Sequence, residues 1–483
     1  MSTVCDTMTS LSTRAACRTA LEALARRDVS RAEEILADPL AAEPNDPNLL
    51  YLWGNCALVR GDDSLALERY ARALAAAPDF PAVLLNVGFL HRRHHRLVEA
   101  RSALERCVAL APEDVAAWVN LVATYVNEGE PERGETVARE ALRRHPRSAL
   151  ARWNLSLLLL EQGRYEEGFR EYRHRFAAGV VTGPRFAPGA PPPRLESLDD
   201  LRPGDSVACH GEQGLGDEIL FSGMLAECAR MVADRGATLL LDCHPRLRRA
   251  FERAFDLPVL PRGPGGEPTG SPPDWILPIG DLGAFFRTRA GDFPDHGGYL
   301  VVDQARVAAI RRELADGRSA GTPLVGLAWT GGSPYTHGLY RHIPLAEWLP
   351  LFRLPATFVS LEYRETAGEI AAAVADHGVR LVDASGLAAA WDYDDVLHLV
   401  AALDHVVSVP TSVLHAAGAV GIPCSIVMHA RAAWRECSAD NRIPWYPRTH
   451  RRFVRGKAEE SWRGTIERVA SSLAGRLGAE NGG

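Results

Sequence analysis

Between residues 13 and 176, turn-forming, small and aromatic positions recur in one frame. Pro44, Pro78, Pro112 and Pro146 stand 34 residues apart. Counted back from them, Gly61, Gly129 and Gly163 fall at a turn between two helices, with His95 in the same register. Ala32, Ala66 and Ala100 share a position where two helices must approach closely, and Tyr70 and Tyr172 share a packing position. Trp53 with Gly54, and Trp118 with Tyr125, fill first-helix positions of their repeats. After residue 202 the pattern changes to short apolar runs, each followed by turn residues, which predicts buried strands. Runs at 206–209, 238–242, 259–260 and 275–277 alternate with helical stretches at 217–233 and 246–255. After a helical stretch at 303–316, a second set of strands is expected at 324–328, 357–361, 379–383, 405–409 and 425–428, with helices at 345–352, 368–376, 393–403 and 412–419. This alternation predicts parallel sheets with helices on both faces. Between the two regions, Pro184, Pro188 and Pro191-Pro192-Pro193 cannot continue a helix and mark an extended linker. A last amphipathic stretch, 461–473, is expected to brace the two α/β halves.

The 34-residue period resembles that of tetratricopeptide repeats. Such repeats bury their apolar faces only by stacking, which gives a superhelix with a groove for a peptide or partner protein. The alternative is an array that spaces or dimerises the molecule. The basic run His91-Arg92-Arg93-His94-His95-Arg96 reads either as a contact for an acidic partner or as a solvated loop. The domains expected are a helical repeat domain at 1–176, a linker at 177–202, and two doubly wound α/β halves at 203–320 and 321–483.

Composition narrows the class. A chain of 483 residues fits three units or so at roughly 150 residues per domain. No apolar stretch approaches the ~18 residues needed to span a bilayer, and residues 1–12 lack a signal-peptide pattern, so a cytoplasmic protein without a transmembrane segment is expected. Nine cysteines never fall in Cys-x-x-Cys spacing, which argues against a structural zinc site or redox pair. The net charge of −7 comes from interleaved acids and bases, with no basic stripe for nucleic acid.

The stretch 209–221 stacks a strand end, a glycine-rich turn and a helix start. Gly211, Gly214 and Gly216 let backbone N–H groups approach a ligand, and the helix start adds unpaired donors and a positive dipole end. The order Gly-x-x-Gly-x-Gly, with no Lys-Ser/Thr pair following, is neither the dinucleotide fingerprint nor the Walker loop. A small polar or anionic ligand is expected there.

Five segments occur in order: Gly211-Glu212-Gln213-Gly214-Leu215-Gly216-Asp217-Glu218-Ile219, Leu324-Val325-Gly326-Leu327-Ala328-Trp329-Thr330-Gly331, Arg341-His342-Ile343-Pro344-Leu345, Thr411-Ser412-Val413-Leu414-His415-Ala416-Ala417-Gly418 and Ile443-Pro444-Trp445-Tyr446-Pro447. Together they resemble bacterial tetratricopeptide-repeat proteins whose C-terminal region is similar to the heptosyltransferase family of GT-B glycosyltransferases. More distantly, the architecture resembles repeat-bearing O-linked N-acetylglucosamine and flagellin glycosyltransferases. The resemblance implies a nucleotide-sugar donor held by the C-terminal half, an acceptor met by the N-terminal half, and inversion with no essential metal and no further cofactor.

Glycosyl transfer needs a base for the acceptor hydroxyl and stabilisation of the departing phosphate. Asp217 matches the family's base candidate; its alternative is a helix N-cap. Glu212 and Glu218 are reserves, and Glu212, Gly214 and Gly216 form the acceptor or sugar loop. For the donor, Thr330-Gly331-Gly332-Ser333 and Thr411-Ser412-Val413 offer backbone donors and hydroxyls to a phosphate. Arg341, near whose position the family has a basic residue, is expected at the same diphosphate, and His415, which matches the family's histidine, at a phosphate or ribose oxygen; the alternatives are a surface arginine and a helix-packing histidine. Glu362 is expected at the ribose or base, and Trp434, Arg435 and Trp445-Tyr446-Pro447 as a wall beside the donor. Pro410 departs from the pattern, since the family has an aspartate before the Thr-Ser pair. Asp392-Tyr393-Asp394 spells a metal-binding motif of another fold, but before an apolar helix it reads as capping acid. The leading expectation is an inverting, metal-independent glycosyltransferase acting on a protein or peptide recruited by the repeat groove. A lipid-linked sugar is the other acceptor considered. The rival is a non-catalytic binding or scaffold protein with a degenerate sugar-nucleotide domain.

Overall fold

The computed structural model describes residues 11–181, 192–260, 271–315, 321–332, 341–362, 366–384, 386–387, 392–429, 434–436, 441–456 and 461–480. The chain parts into two compact units, 1–155 and 156–483.

The first unit is built from α1 (Leu11–Ala25), α2 (Val29–Ala42), α3 (Pro47–Arg60), α4 (Asp63–Ala76), α5 (Pro81–Arg93), α6 (Leu97–Leu110), α7 (Val115–Glu128) and α8 (Pro131–Arg144). The next helices in the same register are α9 (Ala149–Glu161) and α10 (Tyr165–Tyr172). The turn at the expected 34-residue interval has one recurring geometry. Gly61, His95, Gly129 and Gly163 all adopt positive φ, and so does Arg27, 34 residues before Gly61. Just after each, a backbone N–H reaches back five residues: Asp28 to Ala23, Asp62 to Ala57, Arg96 to His91, Glu130 to Tyr125 and Arg164 to Leu159, at 2.9–3.3 Å. This is the Schellman closure of a helix end, which needs a left-handed residue. Arg27 and His95 show that the register holds even where glycine is missing. The helices of a pair meet where one is shaved to glycine. A Cβ on Gly88 would lie 2.5 Å from Leu104 Cγ, and one on Gly54 would strike the Tyr70 ring. Buried Leu36, Leu49, Leu52 and Cys56 form one core, and Leu50, Ala66, Tyr70, Val83 and Leu90 the next. The basic run is partly neutralised within the array: His94 lies 2.7 Å from Asp63, Arg93 pairs with the same carboxylate, and Arg92 donates to Asn120 at 3.2 Å.

The second unit carries two all-parallel sheets. In the first, β1 (Ser206–His210) lies between β2 (Thr238–Asp242) and β3 (Trp275–Pro278). In the second, β4 (Leu324–Ala328), β5 (Thr357–Ser360), β6 (Leu381–Asp383), β7 (His405–Ser408), β8 (Cys424–His429) and β9 (His450–Arg455) run in the order β6-β5-β4-β7-β8-β9. That is the doubly wound 3-2-1-4-5-6 order, whose reversal point lies between β4 and β7.

Several elements differ from expectation. The helix expected at 217–233 starts earlier and breaks into α11 (Leu215–Ser222) and α12 (Leu225–Ala233). Tyr299 lies against Gly223, where a Cβ would be 3.0 Å from its ring, and its hydroxyl donates to the Ile219 carbonyl at 2.5 Å. That carbonyl thus has a partner outside the helix ladder. The expected strand at 259–260 is only an isolated bridge from Val259 to Leu241. β9 carries no apolar run because it is an edge strand, and of its His-Arg-Arg-Phe-Val-Arg only His450 is fully buried. Of the linker, 182–191 lie outside the described residues. Its end runs beside β3, with Leu195 N–H donating to Ile276 O at 2.9 Å and Ile276 N–H to Pro193 O at 2.9 Å.

Among the remaining helices are α13 (Arg248–Ala254), α14 (Leu282–Phe286), α15 (Gln304–Ala315), α16 (Leu349–Phe352), α17 (Ala367–His377), α18 (Tyr393–Ala401), α19 (Ser412–Ala419) and α20 (Arg463–Glu480). The last apolar stretch, expected to brace both halves, is α20. Its Ile466, Val469, Leu473 and Leu477 join the core of the second sheet with Val325, Phe358 and Val407.

Candidate functional site

Loops leaving the carboxyl ends of both sheets converge on one cleft of about 480 Å³. After β1 come Gly214, Gly216 and Asp217; after β2, Arg246; after β5, Glu362; after β6, Ala384; after β7, Pro410, Thr411 and Ser412. Parallel strands place their carboxyl ends together, and ligands of such sheets bind there. Most residues singled out from sequence are thereby gathered: Gly214, Gly216, Asp217, Arg341, Glu362, Thr411, Ser412 and His415 line the cleft. Glu212, Thr330 and Gly331 do not line it, and Ser333 lies outside the described residues.

The first wall is the start of α11. Gly214 is its N-cap and supplies no side chain, so Asp217 is the third helical residue and not the cap considered for it. Asp217 Oδ1 lies 2.6 Å from Arg435 Nε. The loop before it is clamped. Gln213, at φ 64°, donates from Nε2 to Tyr172 Oη at 2.7 Å and accepts from Arg435 Nη2 at 2.8 Å. Glu212 turns the other way, into a buried network. Arg175 Nε donates to its Oε2 at 2.7 Å, Arg175 Nη1 donates to Asp281 Oδ1 at 2.8 Å, and Gly280 N–H reaches Glu212 Oε1 at 2.9 Å. Glu218 accepts from the His244 N–H at 2.9 Å. Both reserve carboxylates therefore hold the loop in place.

The second wall is the start of α19, capped by Thr411, whose hydroxyl accepts from Val413 N–H at 3.2 Å. Here the reversal point of the second sheet brings two loops together. A Cβ on Gly331 would strike Thr411 Cγ2, so Thr330-Gly331 support the loop after β7. Glu362 has a similar supporting role: its Oε1 accepts from the N–H groups of Trp329 at 2.7 Å and Thr330 at 2.8 Å. The starts of α11 and α19 touch across the cleft. A Cβ on Gly216 would come within 3.0 Å of His415 Cδ2 and 3.3 Å of Ser412 Cα, so this glycine serves close packing of the two helix ends. Burial, aided by Arg435, His450 and Arg341, holds His415 well below the usual histidine range, so its imidazole is neutral. Its Nδ1 lies 3.4 Å from Tyr446 Oη.

Among the cleft residues missed from sequence are Arg246, Tyr393 and Glu436. Arg246 stands over the Tyr393 ring at 5.7 Å from its centroid. Glu436 ends a short 3-10 turn, Trp434–Glu436, and burial raises its carboxyl above the usual range, with Arg435 and Arg341 opposing. Only its adjacency to Arg435 hinted at it. Trp434 and Trp445, expected beside the donor, belong to an aromatic cluster with Phe169, Tyr172 and Phe221. Asp392 caps α18 through the Asp394 N–H at 2.9 Å and pairs with Arg249 at 2.6 Å, in keeping with the capping reading. Burial pushes the Asp394 carboxyl up, but Arg253, His398 and Arg249 outweigh it and hold it below the usual range.

The cleft thus offers two helix starts, three arginines, and the carboxylates of Asp217 and Glu436. Backbone N–H groups at helix starts, with arginine forks, suit phosphate oxygens.

The tetratricopeptide repeat model matches residues 17–81 and 119–177. Protein FlbA of Caulobacter vibrioides is 29% identical over 469 residues, covering 93% of this chain and 71% of that protein. The peroxisomal targeting signal receptor of Eremothecium gossypii is 26% identical over 127 residues, covering 26% of this chain and 22% of that protein. Among solved structures, PilF of Pseudomonas aeruginosa is 18% identical with a TM-score of 0.35, covering 47% of this chain and 87% of that one. MamA of Desulfovibrio magneticus RS-1 is 19% identical with a TM-score of 0.32, covering 36% of this chain and 98% of that one. The helical repeats of this chain are tetratricopeptide repeats, and the region after them is α/β with parallel sheets. Among the described residues, no helix is long and apolar enough to cross a membrane.

Proposed function

We propose that the α/β region is a GT-B-type glycosyltransferase, moving a sugar with inversion from a nucleotide sugar to a protein recruited by the repeats. The observation that carries this reading is the meeting of two helix starts with Arg246, Arg341 and Arg435 in one cleft at the carboxyl ends of two parallel sheets. A diphosphate takes the N–H groups of α19 and the forks of Arg341 and Arg435, and its leaving charge is stabilised there. Thr411 and Ser412 add hydroxyls, and neutral His415 supports a phosphate or ribose oxygen. The acceptor approaches from the α11 side. A carboxylate of the cleft takes its proton: the heptosyltransferase pattern points to Asp217, and Glu436 is a second carboxylate within the same walls. The repeats supply a protein-binding surface, as stacked helical repeats do, which favours a protein acceptor over a lipid-linked one.

The test is a thermal-shift screen with uridine, guanosine, adenosine and cytidine nucleotides and their sugar conjugates. A true donor stabilises the native state, by about 2.7 kcal/mol at a hundredfold excess over Kd. A transition unmoved by all of them returns the reading to a scaffold protein with a degenerate sugar-nucleotide domain. Pro410, in the cleft wall where the family has an aspartate, favours that second reading.

A further inference from the structure

The glycosyltransferase reading leaves two carboxylates for one task, and their surroundings differ. Asp217 is held by Arg435, Nε to Oδ1 at 2.6 Å. That contact spends the Asp217 carboxylate on an arginine. Glu436 is only 4% exposed, lines the same cleft, and its Oε2 has no hydrogen-bond partner among the described residues. The arginine beside it in sequence is turned to Asp217 and Gln213. The turn that carries it is anchored, because Trp434 packs against Phe169 and Tyr172 of α10 and Phe221 of α11.

The groups around Glu436 are Arg435 on its own turn, Arg341 from the segment after β4, Asp217 from α11 and His415 from α19. His415 is neutral, the two arginines favour the carboxylate, and Asp217 with burial disfavours it. The balance holds the Glu436 carboxyl above the usual carboxylate range, and a more basic carboxylate takes a proton more readily.

We propose that Glu436 is the proton acceptor of the transfer, and that Asp217 is a positioning residue holding Arg435 at the leaving diphosphate. This rests on the glycosyltransferase reading. The acceptor O–H proton passes to the Glu436 carboxylate as the acceptor oxygen bonds to the anomeric carbon. The bond from that carbon to the phosphate oxygen breaks, and its electron pair leaves on the nucleoside diphosphate among Arg341, Arg435 and the start of α19. Glu436, now protonated, returns the proton to solvent after release.

The test uses the full-length chain and titration calorimetry with uridine, guanosine and adenosine diphosphates, in buffers of different ionisation enthalpy near pH 7. A bound diphosphate adds negative charge beside Glu436, so wild type takes up a fraction of a proton on binding. Glu436→Gln is expected to bind the same nucleotide within about threefold while losing the uptake, and Glu436→Asp to retain it. Asp217→Asn, which removes one charge that disfavours the Glu436 carboxylate, is expected to keep a reduced uptake and to weaken binding roughly tenfold. With the sugar conjugate of the binding nucleotide, Glu436→Gln should lose kcat by ~100-fold or more with little change in KM, and Asp217→Asn should chiefly raise KM. Uptake or turnover that survives in Glu436→Gln and vanishes in Asp217→Asn overturns the assignment and leaves the glycosyltransferase reading standing. A wild-type chain that binds no nucleoside diphosphate overturns both.

Discussion

The repeat array and the cleft solve opposite problems. In the array one local geometry recurs at a fixed interval, so each turn, cap and helix contact is specified within a few dozen residues. At the cleft, Asp217 meets Arg435, and behind its loop Arg175 meets Glu212 and Asp281, across long stretches of chain. The array therefore tolerates loss of its consensus residue, as Arg27 and His95 show at turns where glycine is the rule. The cleft region spends buried charge to hold one loop, and buried charge has no neighbouring repeat to substitute for it.

Four perturbations bear on that contrast, from largest expected effect to smallest. Arg175→Met leaves Glu212 buried without its arginine and leaves Asp281 to Arg194 alone of its two hydrogen-bonded arginines. It should destabilise the chain by ~3–5 kcal/mol in denaturant titration; a loss below ~1 kcal/mol would mean that the network is not what fixes the loop. Next is pH. Burial lowers His450 to about 4, its ring lying 2.7 Å from Leu414 O, and lowers His405 to about 3. Below pH ~6.5 the unfolded chain binds protons that these folded imidazoles refuse. Their stability contribution, complete above that pH, falls by about 1.4 kcal/mol per pH unit for each group as the pH drops toward the folded values. His450→Gln should flatten the stability profile between pH 6.5 and 5, and an unchanged slope would remove His450 from the account.

In the array, Gly88→Val forces a side chain against Leu104 and should cost ~1–3 kcal/mol by thermal unfolding. The smallest effect has the opposite sign. His95→Gly relieves a left-handed residue and should stabilise by ~0.5–1 kcal/mol, whereas Gly61→Ala should destabilise by a similar amount. If both changes destabilise, the turn is not governed by backbone geometry.

Legibility follows the same division. The tetratricopeptide frame is visible in the prolines and glycines because each is required by a local backbone conformation. Buried strands such as β4 and β7 are visible as apolar runs because both faces of a parallel sheet are covered. β9 is not, since an edge strand can carry the charged His-Arg-Arg-Phe-Val-Arg. Within the cleft, glycines and hydroxyls at strand and helix ends could be picked out from spacing and resemblance. The fate of the acidic groups could not. Glu212, Glu218 and Glu362 look like chemistry in a sequence, and each is spent on an arginine or on backbone N–H groups. Glu436 looks like an ordinary surface acid, and it lies buried in the cleft wall.

The sequence by itself determined the repeat period, the helix ends that close it, and the alternation that makes the parallel sheets, since these rest on backbone geometry and apolar periodicity over short spans. Tertiary structure alone decided which carboxylates face the cleft and which are neutralised. A carboxylate's charge and proton affinity depend on burial and on partners up to some two hundred residues away, such as Arg435 for Asp217, and no local pattern carries that information.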